Sequence, residues 1–265
     1  GLGSLAARDC SQAPEVVLPS LKSGFREGNR QVAGFQGRGG AATLPPMSTS
    51  PSSAARILWG AGTPRTLRAH WMLQELELPY ERRAITSRSG ETHTPAYVAL
   101  NPTRKIPLLQ EGDFTVAESA AIVNYLGSAY GAQRHMAPPT APRERARYDQ
   151  WCFFLMMELD ANTLYILRRH EDLTGIYGEA PNAVKTARLC FEQQAEAAAQ
   201  RLGTRPFAMG DHFSGVDILL TTSITGAQRR DIAMPQLLLD YLARIAGRAA
   251  YQRALKVNQP GEMTA

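Results

Sequence analysis

The stretch NPTRKIPLLQEGDFTVAESAAI, residues 101–122, decides the fold of this chain. Two short apolar runs within it, residues 106–109 and 114–116, predict a pair of strands. The sequence Glu-Gly-Asp at residues 111–113 lies between them and predicts the turn of a hairpin. A helix is expected from Glu118 to Tyr130, because its apolar residues recur at helical spacing. The stretch therefore predicts strand, strand and helix in that order.

The residues before this stretch predict a strand, a helix and a second strand. Arg56 to Trp59 is the first strand candidate, and Thr63-Pro64 opens the helix with a hydroxyl cap followed by proline. Residues 80–85 predict the second strand, and residues 95–100 predict a short helical turn. Residues 53–130 are therefore expected to form one α/β domain, with the order βαβ and then ββα.

Only helical patterns follow after a proline-rich linker at residues 131–142. Residues 143–265 are expected to form an all-α helical bundle. Ser214-Gly215-Val216-Asp217 is a capping box, with a hydroxyl at the N-cap and a carboxylate three residues later. The predicted helices are residues 143–170, residues 181–202, the segment that follows Ser214, and residues 235–246.

Residues 1–52 differ from the rest of the chain, because they are rich in Gly, Ser, Pro, Ala and Arg and show no sustained period. We expect a disordered extension or leader here, with the working protein beginning at Met47. Residues 1–46 would then be a leader, a cloning remnant or an upstream translation. No apolar segment follows a basic start, so a secretory signal is not expected.

Composition disfavours several classes of function. The 265 residues are 44% apolar, but no apolar run approaches the roughly 18 residues that cross a membrane. The net charge of +5 is dispersed, without the basic blocks typical of nucleic-acid binding. Cys10, Cys152 and Cys190 lie far apart, which argues against a zinc site and against a dithiol pair. We therefore expect a cytoplasmic protein with no membrane, nucleic-acid or metal partner.

Four motifs resemble those of the cytosolic glutathione transferases, in their bacterial form. Residues 101–109 look like the family's NPxxKxPxL segment, and residues 114–122 look like its ESxAI segment. Residues 71–76 resemble the signature of the first helix, and residues 207–211 resemble the approach to the capping box at Ser214. The resemblance implies a thioredoxin-like N-terminal domain that binds glutathione and an all-helical C-terminal domain. It also implies a homodimer, in which the first domain of one subunit packs on the second domain of the other.

The resemblance further implies how glutathione would bind. The Ile106–Pro107 peptide bond is cis in the family, and the backbone of Ile106 would pair with the cysteinyl backbone of glutathione. Ser119 would hold the γ-glutamyl carboxylate at the start of a helix, and Glu118 would attend the amine. Lys105 would lie near the glycyl carboxylate. The structural alternatives are helix capping for Ser119 and Glu118, a strand start for Pro107 and a solvated side chain for Lys105.

The catalytic position in this family follows the first strand and holds Tyr, Ser or Cys, or Thr in a Thr-Pro-Asn form. Thr63 occupies the matching position, in Thr63-Pro64-Arg65. Its hydroxyl would donate a hydrogen bond to the glutathione sulfur. Such a bond is worth about 1.5–3 kcal/mol and would lower the pKa of the bound thiol by about 1–2. Thr66 is the competing hydroxyl, and helix capping alone is the alternative role of Thr63.

The second substrate is expected between the domains, beside the long helix at residues 143–170. Tyr148, Trp151, Met157 and Tyr165 are its candidate lining residues. The predicted function is conjugation of the glutathione thiolate to an apolar electrophile, with glutathione as co-substrate and no other cofactor or metal. Two alternatives stay open: a glutathione-dependent disulfide reductase or peroxidase, and a non-catalytic binding protein that keeps the fold. No cysteine lies at the catalytic position, which disfavours the reductases that use one.

Overall fold

The computed structural model describes residues 55–260. The extension predicted at residues 1–52 and the start predicted at Met47 lie outside the described residues. No helix in the described part is long and apolar enough to cross a membrane. Within the same range, no three side chains of His, Cys, Asp or Glu cluster so that they could hold a metal ion.

Four strands form one mixed sheet, in the order β2-β1-β3-β4. They are β1 (Arg56–Trp59), β2 (Glu81–Arg83), β3 (Leu108–Glu111) and β4 (Phe114–Ala117). β1 runs parallel to β2 and antiparallel to β3, and β3 runs antiparallel to β4. Leu58 stands opposite Leu109, and both side chains are fully buried. This apolar pair fixes the register of the two central strands, because a slip of one residue would turn both side chains away from the core.

Two strands differ from their predicted bounds. β2 is shorter than the expected residues 80–85, and all of its residues are exposed at the edge of the sheet, so core packing does not extend it. β3 begins at Leu108 instead of Ile106, because Pro107 has no N–H to donate to the ladder. Ile106 therefore precedes the sheet, and its backbone stays outside the ladder.

Three helices belong to this α/β half: α1 (Pro64–Glu75), α2 (Pro95–Leu100) and α3 (Ser119–Tyr130). α1 begins as predicted, with Thr63 at the N-cap and Pro64 at the first helical position. Residues 66–73 of α1 are all buried, because the helix packs against α3 and against helices of the second half. The order βαβ and then ββα confirms the predicted thioredoxin-like fold of this half.

Helices make up the second half of the described chain. They are α4 (Pro142–Phe154), a π-helical segment (Leu155–Leu164), α5 (Tyr165–Leu167), a second π-helical segment (Arg168–Asp172), α6 (Thr174–Tyr177), α7 (Pro181–Leu202), α8 (Gly215–Gln228), α9 (Gln236–Ala246) and α10 (Ala249–Val257). The helix predicted at residues 143–170 is thus helical throughout, but its turns widen after Phe154. A π-helical turn holds more residues than an α-helical turn, so later side chains face other directions than a 3.6-residue period predicts.

α8 lies at the centre of the molecule, where it packs against α1, α3 and α9. The predicted capping box is present: the Ser214 backbone N–H donates to Asp217 at 2.8 Å. The other oxygen of Asp217 accepts from the Ala208 N–H and from the Tyr241 hydroxyl, each at 2.7 Å. These donors compensate a carboxylate that is fully buried.

The helix α10 is absent from the sequence predictions, and it connects the end of the chain to the first domain. It packs along α1, where the Tyr251 ring lies 4.5 Å from the Trp71 ring. The residue that follows α10, Asn258, accepts a hydrogen bond on its carbonyl oxygen from the Gly62 N–H at 2.7 Å. Asn258 therefore lies against the loop that precedes α1.

Candidate functional site

Thr63 lies in the loop between β1 and α1. Its hydroxyl oxygen accepts a hydrogen bond from the Thr66 backbone N–H at 3.1 Å, and its own backbone N–H donates to the Thr66 hydroxyl at 3.0 Å. The two bonds form a reciprocal cap, with Thr at the third helical position in place of the usual Glu or Gln. Thr63 is 7% exposed and lines a cavity, whereas Thr66 is fully buried.

The Thr63 and Thr66 hydroxyls differ in the hydrogen-bond acceptors that are available to their protons. Thr66 Oγ1 lies 2.7 Å from Asn258 Oδ1 and 2.9 Å from the Thr63 carbonyl oxygen, which also accepts from Asn258 Nδ2 at 3.2 Å. Asn258 Oδ1 is therefore the better acceptor for the single Thr66 proton. The two hydroxyl oxygens are 3.0 Å apart, so a ligand would compete only with Thr66 for the Thr63 proton. This geometry favours Thr63 over Thr66 as a donor to a ligand.

Ile106 presents an unpaired backbone to the same cavity. Its peptide bond to Pro107 is cis, as the family resemblance implies. The Lys105 carbonyl is held by the Tyr97 hydroxyl at 2.7 Å and by Asn101 Nδ2 at 2.8 Å, which fixes the preceding segment. Within residues 55–260, neither the N–H nor the C=O of Ile106 has a hydrogen-bond partner. A free donor and a free acceptor on one residue suit an extended peptide that adds as a short strand.

Glu118 and Ser119 begin α3 at the cavity wall. Glu118 has a positive φ of 66°, a conformation that costs about 1–3 kcal/mol in a residue with a side chain and that clusters at functional sites. The Ser119 oxygen accepts a hydrogen bond from Arg68 Nη1 at 3.2 Å, so its own proton is left to donate. The unpaired backbone N–H groups of the first turn lie beside it. This end of α3 is suited to a carboxylate.

A buried ion pair lies behind Ser119. Arg68 is 1% exposed, its Nη1 lies 2.9 Å from Asp160 Oδ2, and its Nε donates to the Thr222 hydroxyl at 2.8 Å. Burial lowers the pKa of the Arg68 guanidinium, and the Asp160 carboxylate opposes that effect. Arg65 pairs with the other oxygen of Asp160. One carboxylate therefore holds two cations at the cavity wall.

The cavity has a volume of about 570 Å³ and collects residues from both halves of the molecule. All six residues predicted to bind glutathione line it: Thr63, Lys105, Ile106, Pro107, Glu118 and Ser119. Met157 and Tyr165, predicted to contact the second substrate, line it as well. Arg68 and Asp160 also line it and were missed from the sequence, because no local pattern marks a pair separated by 92 positions.

Tyr148 and Trp151, the other two residues predicted for the second substrate, lie elsewhere. They are 1% and 3% exposed and belong to the core. The Tyr148 hydroxyl donates to Asn124 Oδ1 at 2.9 Å, and the Trp151 ring packs against Phe154. Both precede the point at which the helix widens, whereas Met157 and Tyr165 follow it. At about 100° per residue an α-helix already places Met157 opposite Tyr148. The wider turns of the π-helical segment explain why Tyr165 does not face the same way as Trp151.

Comparison with known proteins agrees with this arrangement. Residues 54–128 match the family model described as "Glutathione S-transferase, N-terminal domain". The matched segment contains Thr63, Lys105, Ile106, Pro107, Glu118 and Ser119. Beyond this segment, the fold of the described chain as a whole resembles solved glutathione transferases, such as the one from Xylella fastidiosa with a TM-score of 0.65, which confirms the predicted architecture.

Three curated relatives show how far the similarity extends. Glutathione S-transferase theta-1 of Bos taurus is 28% identical over 150 residues, which cover 56% of this chain and 62% of that protein. Glutathione S-transferase theta-3 of Mus musculus is 39% identical over 74 residues, or 28% of this chain and 30% of the relative. A probable maleylacetoacetate isomerase of Vibrio cholerae is 28% identical over 193 residues, or 69% of this chain and 87% of the relative. The chain thus spans less than two thirds of the two theta-class relatives.

Two solved structures extend the comparison to three dimensions. The theta class glutathione S-transferase of Xanthomonas axonopodis pv. citri, with glutathione bound, is 28% identical with a TM-score of 0.63. The alignment covers 80% of this chain and 99% of that one. Human glutathione-S-transferase T1-1 in its apo form has a TM-score of 0.66 at 21% identity, covers 77% of this chain and 89% of its own, and shares the fold.

Proposed function

We propose that this protein is a glutathione S-transferase that conjugates the thiolate of glutathione to an electrophile with an apolar body. The observation that carries the proposal is the convergence of three groups on one cavity. They are a hydroxyl with an available proton on Thr63, a free backbone donor and acceptor on Ile106, and the N-terminus of α3 at Ser119.

In the proposed complex, glutathione lies extended along the cavity. Ser119 and the first turn of α3 bind the γ-glutamyl carboxylate, and Glu118 attends the amine. The cysteinyl backbone pairs with the N–H and C=O of Ile106. Lys105 lies near the glycyl carboxylate and pairs with it. Glutathione serves as co-substrate, and the proposed reaction uses no other cofactor.

Thr63 supplies the proposed chemistry. Its hydroxyl donates to the sulfur, and the N-terminus of α1 adds a favourable potential for negative charge. Both effects stabilise the thiolate, which is the nucleophile, while the thiol proton passes to solvent. With an aryl chloride, the sulfur–carbon bond forms and the carbon–chlorine bond breaks. The bonding pair leaves with chloride, so charge and atoms balance.

The wall contributed by the helical half carries Met156, Met157, Ala161 and Tyr165 beside the charged Asp160 and Arg168. These four side chains contact the part of the electrophile that lies nearest the sulfur. Burial of apolar area against such a wall stabilises a bound substrate by about 25 cal/mol per Å². The proposed location of the protein is the cytoplasm, where glutathione keeps thiols reduced.

The proposal is tested with the full chain. Calorimetric titration should show saturable glutathione binding, which Ser119→Ala weakens by about tenfold, the value of one hydrogen bond to a charged group. Ser128→Ala is the matched control, because Ser128 lies on the same helix and is exposed. The protein should also accelerate the reaction of glutathione with 1-chloro-2,4-dinitrobenzene. Absence of binding at millimolar glutathione would refute the proposal and favour a binding protein that keeps the fold.

A glutathione-dependent isomerase is the second candidate, because the relative aligned over 87% of its length is called a probable maleylacetoacetate isomerase. Isomerisation regenerates glutathione, whereas conjugation and disulfide reduction consume it. Counting glutathione consumed per turnover on maleylacetoacetate, an aryl chloride and a disulfide separates the three activities. Conjugation predicts one glutathione consumed per aryl chloride and faster turnover of that substrate than of the other two.

We also propose a homodimer. The family resemblance supports this proposal, and we place Phe153 of α4, an aromatic side chain that is 69% exposed, at the interface. Light scattering should give twice the mass of the chain, and Phe153→Glu should shift the mass toward that of a monomer. Leu237→Glu on α9, where the leucine is 38% exposed, is the matched control and should leave the mass unchanged.

A further inference from the structure

A second cavity of about 620 Å³ shares part of its wall, Thr63 included, with the first. Six residues line both cavities: Thr63, Arg65, Arg68, Asp160, Tyr165 and Arg168. Ile106 and Ser119 line only the first cavity. Thr63 therefore also borders a space that lacks the groups proposed to hold the glutathione backbone. Such a space suits the second substrate.

The second cavity has an excess of positive charge. Five arginines and two aspartates line it. Asp160 pairs with Arg65 and Arg68, and Asp172 pairs with Arg230. Two arginines are left over, Arg168 and Arg229.

Arg168 is the more enclosed of the two. Its residue is half-buried, whereas Arg229 is exposed. Within residues 55–260, the Arg168 guanidinium has no ion pair within 4.0 Å and no hydrogen bond. Burial lowers the pKa of Arg168, and the nearby cations Arg88 and Arg65 lower it further, against smaller opposing effects of Tyr165 and Asp172. A partly desolvated cation beside other cations is costly, and an anionic ligand would remove that cost.

The remaining wall of the second cavity is partly apolar. Leu67, Leu164, Tyr165, Leu255 and Pro260 contribute carbon surface. Apolar groups next to an unpaired guanidinium favour a molecule with an apolar body and one anionic substituent.

We infer that the second substrate of this protein is an electrophile that carries a carboxylate, and that Arg168 pairs with that carboxylate in the second cavity. The inference rests on the proposed function and specifies the electrophile. Glutathione carries a glycyl carboxylate that Arg168 could also meet, since Arg168 lines the first cavity too. The glycyl carboxylate has alternative partners beside Ile106 that line only the first cavity: Arg104, Lys105 and His93.

Two aryl chlorides that differ only in charge test the inference. The first is 4-chloro-3-nitrobenzoyl-glycine, whose carboxylate is insulated from the ring, and the second is the neutral 4-chloro-3-nitrobenzoyl-glycinamide. The full-length protein should use the glycine compound with a kcat/KM at least about tenfold higher, since a charge-assisted hydrogen bond is worth that much. Arg168→Gln should bring the ratio close to one. Arg147→Gln removes the same charge from an exposed position on α4 and should keep the ratio.

Binding provides a second measurement that needs no turnover. Benzoylglycine should bind the protein at least about tenfold more tightly than benzoylglycinamide in a calorimeter, and Arg168→Gln should abolish the difference. Equal use and equal binding of the charged and neutral compounds would overturn the inference. It would also be overturned if Arg168→Gln weakened glutathione binding and left the ratio unchanged, because Arg168 would then pair with glutathione. Failure of glutathione to bind at all would instead refute the proposed function.

Discussion

Asp160 of the helical half accepts a hydrogen bond from Arg68 of α1, with 2.9 Å between Oδ2 and Nη1. The same Nη1 donates to Ser119 Oγ at 3.2 Å. The pair therefore connects the helix that follows Thr63, the start of α3 and the π-helical segment after α4. Its position couples the geometry of the proposed carboxylate site to the packing of the two halves.

Asp160→Asn should destabilise the protein strongly. The Arg68 side chain is 2% exposed and the Asp160 side chain 10%, so the variant leaves a buried cation without its counter-charge. Loss of one partner of such a pair costs about 3–5 kcal/mol in the free energy of unfolding. Urea denaturation gives the value.

Asp149→Asn is the matched control for this prediction. Asp149 pairs with Arg145 on the surface of α4, where the side chains are 32% and 44% exposed. A surface pair is worth about 0–1 kcal/mol. Equal losses of unfolding free energy in the two variants would show that the buried Arg68–Asp160 pair stabilises the protein no more than a surface pair does.

Thr63→Ala should raise the pKa of the bound glutathione thiol by about 1–2 and lower kcat/KM at neutral pH by about 10–100-fold. Of the Thr63 and Thr66 hydroxyls, the variant removes the one whose proton is available to a ligand in the cavity. The ultraviolet absorbance of the thiolate, followed against pH, measures the pKa. Thr63→Ser should restore most of both values. An unchanged thiol pKa in Thr63→Ala would assign the role to the N-terminus of α1.

Asn258 should act as a positioning residue for Thr63. In Asn258→Ala the Thr66 hydroxyl loses its nearest acceptor and the Thr63 carbonyl loses the Asn258 Nδ2 donor, so the loop that presents the Thr63 hydroxyl to the sulfur is held less firmly. One neutral hydrogen bond is worth about 1 kcal/mol, so kcat should fall by about 3–10-fold. The pH–rate profile of Asn258→Ala should also shift toward alkaline pH, as that of Thr63→Ala should.

A purely structural role for Asn258 would lower stability and leave that pH profile unchanged. Asn182→Ala is the control, because Asn182 is exposed on α7 and distant in sequence from the site. A pH profile identical to that of the unmodified protein would contradict the positioning role.

Stability should fall as the pH decreases from 7 to 5, through His70. Burial lowers the pKa of His70 to about 4, against 6.5 in the unfolded chain. The ring accepts from or donates to the Tyr80 hydroxyl at 2.8 Å and contacts the Gly60 carbonyl oxygen at 3.1 Å. Since a carbonyl only accepts, Nε2 carries a proton, and in the neutral ring that the lowered pKa favours, Nδ1 accepts from the Tyr80 hydroxyl.

Between pH 6.5 and 4 the unfolded chain binds a proton that the folded chain does not, so protonation favours unfolding in that window. The expected loss from pH 7 to 5 is about 2 kcal/mol in the free energy of unfolding. Urea titrations at the two pH values measure it, and His70→Gln should remove most of the difference. If the stability of His70→Gln depends on pH as that of the unmodified protein does, a titratable group other than His70 is responsible.

Much of the fold follows from local signals in the sequence. The start of α1 at Pro64 was predicted from Thr63-Pro64, and the box at Ser214 and Asp217 marked the start of α8. Caps and prolines act within four residues, so one sequence is enough to find them. The helix α10 lacks such a cap, and its burial against α1 depends on tertiary packing.

By itself the sequence determined the order of strands and helices in the α/β half, and it predicts which residues form a glutathione site, because the resemblance rests on short motifs with fixed internal spacing. Only the tertiary structure showed that the Thr66 hydroxyl has an acceptor, Asn258, which lies 192 positions away from Thr66. It also placed Tyr165 at the cavity and Trp151 in the core, because the widened turns of the helix change its facing residues. Local patterns determine where helices and strands begin. The acceptor of a hydroxyl proton and the side of a helix that faces a cavity depend instead on residues that become neighbours only when the chain folds.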